Sequence, residues 1–307
     1  MDEATATVVV ALVSDLVAQA ASTPTPTRRR PRLPKPPARA RLALDAAALL
    51  AGLRPGVLLD YGGPTFQDQA SLAAVAVGLS NLMSGGRCVR LARLGGGEAP
   101  TDDDDNALHA GPALFLVCLP MDEPLVAPWP VSLSPAAGAV WSADGRALAR
   151  GLSSTAAALH RDANGASPPA VLDICAGDTP HEAVAAWLLG YPAALVRGCT
   201  SASGGGGVAP AAAALSSATL VALRACPPPT LAASLAAAGW PAPPGVMMMR
   251  DGEGGRVDVC SFALPPGGPP GEWLRAWTDG VRQRADGSGW DSVGLATGSM
   301  GLGGLAV

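Results

Sequence analysis

The sequence predicts an α/β fold: a single domain with a mixed sheet flanked by helices and an antiparallel hairpin toward the C-terminus. Three observations carry this. From Arg41 onward, helical stripes alternate with short apolar runs. Apolar residues make up 49% of the 307, enough to build a sizeable core. Near the end, Asp251-Gly252-Glu253-Gly254-Gly255 separates the strand-like runs Val246–Met249 and Val257–Phe262, as a hairpin loop would. The chain has no repeat of ~20–50 residues, which sets solenoids and propellers aside.

At the N-terminus, Val8, Val9, Leu12, Val13, Leu16 and Val17 follow a helical stripe and predict an amphipathic docking helix over 1–21. Residues 22–41 hold six prolines and read as an extended Pro/Arg-rich linker. The domain proper spans 42–284. Its first helix carries Leu42, Ala46, Leu49, Leu50 and Leu53 and stops at Pro55-Gly56, before the strand Val57-Leu58-Leu59. Thr65 and Asp68 can cap the next helix, whose Leu72, Val75, Ala76, Leu79, Leu82 and Met83 share one face, closed by Gly85-Gly86.

Strands follow at Cys88–Leu94 and Leu114–Leu119, with residues 120–135 expected as an irregular Pro-rich connection. A helix is predicted over Arg146–His160 and a strand over Val171–Cys175. Thr179-Pro180-His181-Glu182 then offers N-cap, N1 proline and N3 glutamate for a helix with Val184, Trp187 and Leu188 inward. Further strands are read at Ala193–Val196 and Thr219–Arg224, with a helix over Leu231–Ala238. A last helix buries Trp273, Leu274, Trp277 and Val281, and the Gly-rich residues 285–307 are expected to be a poorly ordered tail.

Composition excludes several functions. The chain has one Lys, Lys35, in a Pro-rich tract and no G-x-x-x-x-G-K-[ST], so a P-loop is absent and a Schiff-base lysine is not supported. Residues 1–41 hold seven basic and three acidic groups, and the remainder fourteen basic and twenty-two acidic. An acidic body argues against nucleic-acid binding except through the Arg-rich segment 28–41. Six cysteines without a C-x-x-C read as reduced, mostly buried thiols of an intracellular protein. The apolar run Val8–Val13 is too short for a membrane span. Residues 22–41 match a transit peptide in composition, but Asp2 and Glu3 oppose one, so the cytoplasm is the expected compartment.

Asp60 and Asp173 each lie in an apolar strand-like run just before a glycine-bearing turn, and carboxylates at the ends of strands in open parallel sheets bind metal or act as acid and base. The same residues also cap turns readily. His181, at a helix start, would be held neutral by the helix dipole, as a base or as nothing more than an exposed histidine. Cys175 beside Asp173, and Cys199 before the glycine run 204–207, are thiol candidates for a Cys–His pair or simply structural. The Asp102–Asp105 run lacks the alternation and glycine of a calcium loop. With no H-E-x-x-H, G-x-S-x-G or G-x-G-x-x-G in strand–helix context, no cofactor is expected.

Leu188-Leu189-Gly190-Tyr191-Pro192, taken with Leu58-Leu59-Asp60 and Leu172-Asp173-Ile174, resembles a eukaryotic family built on a domain of unknown function, the one that includes the product of human chromosome-one open reading frame seventy-four. The resemblance spans roughly residues 42–264 and implies no known reaction. It implies that Gly190-Tyr191-Pro192 is shared architecture, in which Gly ends a helix, Tyr packs with a polar tip and Pro leads into a strand.

These features support a soluble, non-catalytic intracellular protein that works through contacts with an unidentified protein partner. The alternative is a small-molecule hydrolase or transferase using Asp60, Asp173 and His181, with or without a divalent metal. A third reading makes residues 28–41 a tether to nucleic acid or an acidic surface. No sequence pattern specifies an oligomeric state.

Overall fold

The computed structural model describes residues 1–22, 36–59, 69–95, 113–119, 128–134, 138–141, 145–165, 169–197, 219–240, 255–264 and 271–299. Asp60, Cys199, the Arg28–Arg32 tract and the expected strand 246–249 lie outside them. The elements run α1 (Glu3–Ser22), α2 (Pro36–Leu50), β1 (Gly56–Leu58), α3 (Gln69–Ser80), β2 (Cys88–Leu94), β3 (Ala113–Leu119), β4 (Trp129–Ser134), β5 (Gly138–Trp141), α4 (Gly145–Ala163) and β6 (Val171–Ile174). They continue as α5 (His181–Leu188), β7 (Ala193–Arg197), β8 (Thr219–Cys226), α6 (Pro229–Ala237), β9 (Val257–Leu264), α7 (Gly271–Ala285) and β10 (Asp291–Ser299).

A four-stranded mixed sheet, ordered β1-β3-β2-β6, organises the molecule. β1 and β2 both run antiparallel to β3, and β6 runs parallel to β2. Side-chain alternation sends successive residues to opposite faces. Val57, Val89, Leu91, Leu114, Leu116 and Cys118 enter a core shared with α1, α2, α3 and the C-terminal sheet. Ala92, Leu94, Phe115, Val117, Leu119, Leu172 and Ile174 enter a second core with α4 and α5. β3 is buried on both sides, which is why its sequence is a continuous apolar run.

An antiparallel sheet, β10-β8-β9, supplies the C-terminal antiparallel portion, and a third sheet is ordered β5-β4-β7. α2 is buried on nearly every side from Leu42 to Leu49 rather than along one stripe. α1 docks on its own chain, packing on α2, α3 and α6.

Several expectations are corrected. The linker ends before residue 36, because Pro36 and Pro37 occupy the first turn of α2, where a missing N–H loses nothing. Residues 120–135 contain β4. Pro130 spoils the strand pattern, yet it sits where β4 pairs with β7 alone, before pairing with β5 begins at Val131. Residues 285–307 include β10, a strand held by its ladder to β8. On α1, Ala6 and Val10 are buried while Val8 is exposed. Trp277 is buried, whereas Trp273 is half-buried.

α5 starts without the expected capping box: its N-cap is Pro180, with no side-chain cap bond. Thr179 is instead buried against α4, close enough that a Cβ on Gly151 would lie 2.2 Å from its Oγ1. Of the described cysteines, Cys118 and Cys260 are buried, Cys88 and Cys226 half-buried, and Cys175 exposed.

The two cores meet at Gly190-Tyr191-Pro192. Gly190 takes φ +69°, and a Cβ there would lie 2.5 Å from Pro55 Cδ. The Trp277 indole N–H donates to the Gly190 carbonyl at 3.1 Å. Tyr191 packs against both cores, its ring 6.2 Å from Phe262, which in turn meets Trp277 edge-on at 5.6 Å.

Candidate functional site

Asp173 occupies the third position of β6, directly opposite Arg93 of β2 in the parallel ladder. The guanidinium fork grips both carboxylate oxygens, Nε to Oδ1 at 2.6 Å and Nη2 to Oδ2 at 2.9 Å. The pair is open to solvent, with 60% of the Asp173 side chain and 37% of the Arg93 side chain exposed. Hydrogen bonding from Arg93 holds the Asp173 carboxyl below its ordinary range, and the same contact raises Arg93. A carboxyl held below its ordinary range is a weaker general base near neutral pH than a free one.

His181 opens α5 and is exposed, as is Cys175, which follows β6. α5 covers the sheet face to which Leu172 and Ile174 point. Strand alternation therefore sends Asp173 to the opposite face from the helix that His181 begins. Asp60 lies outside the described residues, but the end of β1 before it is placed: the Leu59 amide donates to the Leu114 carbonyl at 2.9 Å. Leu114 is paired with Arg93, and Arg93 with Asp173. Three strand spacings thus separate the Leu59 and Asp173 backbones, on the order of 14 Å. Among the described residues, no group of three or more His, Cys, Asp or Glu could hold a metal ion.

A different carboxylate is held far more tightly. Asp45, in the buried helix α2, is flanked by two arginines: Arg54 Nη1 reaches its Oδ1 and Arg41 Nε its Oδ2, each at 3.0 Å. The side chains of Asp45 and Arg54 are only 5% and 6% exposed. Both arginines continue to the bulged stretch of β9, where the register with β8 shifts. Arg41 donates to the Asp258 carbonyl and Arg54 to the Val259 carbonyl, while Arg54 Nε takes the Gly56 carbonyl at 2.8 Å. The cluster ties α2, β1 and the C-terminal sheet together, satisfying carbonyls that the bulge frees. One sequence signal for it exists: a lone acid in an Ala/Leu helix, with an arginine one turn before it and another just past the helix end.

Apolar surface is exposed on the other side of the first core. Val77 of α3 is 53% exposed and Val8 of α1 39%. They flank the place where the two helices cross, where a Cβ on Gly78 would lie 2.5 Å from Leu12 Cδ2. The twelve residues of α3 include no charge, and Ala70 and Ala74 extend the exposed face of Val77.

Compared with known protein families, curated proteins and solved structures, the chain matches none. Among the described residues, no helix is long and apolar enough to cross a membrane.

Proposed function

We propose that this chain is a non-catalytic binding module that docks a protein partner on the outer surface of α1 and α3. The observation that carries the reading is the uncharged face of α3, where Val77 stands half exposed on the same helix face as the exposed Ala70 and Ala74. A run of exposed apolar residues along one helix face is a recurrent mark of a contact site. Because α3 offers no ion-pairing group, the partner surface that fits is itself apolar, such as the inner stripe of an amphipathic helix.

Site-specific photo-cross-linking in cells tests this. A cross-linker at position 77 is expected to trap one discrete protein, while one at the exposed Asp279 on α7 traps none. Equal or absent capture from position 77 would remove the reading. Metal-dependent turnover that disappears in Asp173→Ala would replace it with the enzymatic one.

A further inference from the structure

Trp290, the residue before β10, is 4% exposed, and its indole Nε1 is buried with no hydrogen-bond partner among the described residues. Buried indole N–H groups ordinarily find an acceptor, since one left unpaired forfeits the bond that water would have given. The Trp277 indole finds one in the Gly190 carbonyl. Trp290 instead lines a cavity of about 10 Å³ between α2, β9 and the entry to β10. Arg41, Asp45 and Asp258 supply its other polar walls, and aliphatic side chains of α2 and β9 the rest.

Size and charge together limit what this cavity can hold. A space of about 10 Å³ has room for about one water. The charges around it are already matched, Asp45 by Arg54 and Arg41, and Asp258 by Arg224. An anion there would face two carboxylates, and a cation would face the indole N–H and the Arg41 guanidinium. The walls thus offer a donor that lacks an acceptor, beside acceptors with capacity to spare. A carboxylate has about four lone-pair sites, and Asp45 gives one on each oxygen to its arginines. Asp258 gives its Oδ1 to Arg224 Nε at 2.7 Å. A small neutral group that accepts and donates at once satisfies all of these walls.

We infer that this cavity is a binding site for a single structural water, which accepts from Trp290 Nε1 and donates to the Asp45 and Asp258 carboxylates. Three such bonds are the usual complement of a buried water. The water extends the Asp45 cluster to the start of β10, so that the strand is tied to α2 by a polar bridge as well as by the packing of Trp290 in the main core. The side chains of Arg41 and Asp258 each keep 29% exposure, which gives the water a path in from solvent.

Water-selective NMR on the full chain, with its seven tryptophans labelled with nitrogen-15, tests the proposal at neutral pH. The indole resonance missing from Trp290→Phe belongs to Trp290, and sequential backbone assignment identifies it if that variant fails to fold. Because Nε1 is out of contact with bulk solvent, surface water cannot give its proton a signal. The Trp290 indole proton should show a cross-peak with water of opposite sign in laboratory-frame and rotating-frame Overhauser spectra, as a held water gives. Its position should stay fixed as sodium chloride is added. A missing cross-peak, or one of the same sign in both spectra, which reports proton exchange alone, would overturn the proposal. A saturable shift of the resonance with salt would overturn it too, by placing an ion in the cavity.

Discussion

Asp45 and Asp173 make the same chemical contact, a carboxylate held by arginine, in two opposite settings. Asp45 lies inside the main core between two guanidinium groups that also bind strand carbonyls. Asp173 lies at the solvent-exposed edge of the mixed sheet with one partner. The difference teaches that position in a strand just before a glycine-bearing turn, which drew attention to Asp173, says little about energetic weight. Burial decides it. A charge removed from water is tolerable only while every partner remains, whereas an exposed pair is screened and replaceable by water.

The comparison is broken most severely at Asp45. Asp45→Ala leaves Arg54 buried without its counter-charge and should destabilise the fold by about 3–5 kcal/mol, read by urea denaturation. Replacing the pair together, Asp45→Leu with Arg54→Met, should recover only part of that loss, because it removes the orphaned charge but leaves the Gly56 and Val259 carbonyls without their donor.

Gly190→Ala comes next. Its φ of +69° strains any side chain, and the new methyl would collide with Pro55 at the junction of the two cores. Strain alone should cost about 1–3 kcal/mol, visible as a lowered Tm.

Alkaline pH offers a smaller, graded effect on the same core. Burial pushes the Cys260 thiol up from 9.0 to about 11, against the pull of Arg54 and Arg41. In the unfolded chain this thiol ionises near its ordinary value, so the folded state holds its proton to higher pH. The stability it contributes is complete below pH 9 and is lost as pH rises toward about 11, by at most ~1.4 kcal/mol per pH unit. Tyr191, also raised chiefly by burial, adds a loss of the same sign above pH 10. Cys260→Ala should flatten the lower part of that decline, and native-state alkylation should label Cys175 long before Cys260.

Asp173→Ala should have the smallest effect, a fraction of the Asp45 loss, because water replaces what Arg93 supplied. Its depressed pKa places the contribution above the ordinary carboxylate value, to be lost only as pH falls through and below it. At neutral pH the variant should therefore melt close to the wild type.

Much of the fold was legible because local patterns agreed with the tertiary outcome. β3 read directly as an apolar run, β2 as a strand following the Gly85-Gly86 stop, and the Gly190 stop ended α5 as expected. What escaped was set by partners distant in the chain. β10 is rich in small residues and has weak strand propensity of its own, so its ladder to β8 makes it a strand. β4 was hidden by Pro130, and the start of α2 by Pro36 and Pro37. The candidate residues were legible as individual side chains but not as a constellation: Arg93 stands 80 residues from Asp173, and only the β2–β6 register brings them together. Asp45, the one acid among the buried described residues, sits in no motif that marks it in the sequence.

The most direct measurement is an NMR titration of the Asp173 side-chain carboxyl, with and without Mg²⁺ or Zn²⁺. Titration below the ordinary value of 3.8, unmoved by either ion, is the predicted result for a carboxylate committed to Arg93. A value at or above 3.8 would contradict it by showing the carboxylate free of Arg93, and a response to metal would contradict it by showing the carboxylate open to a ligand.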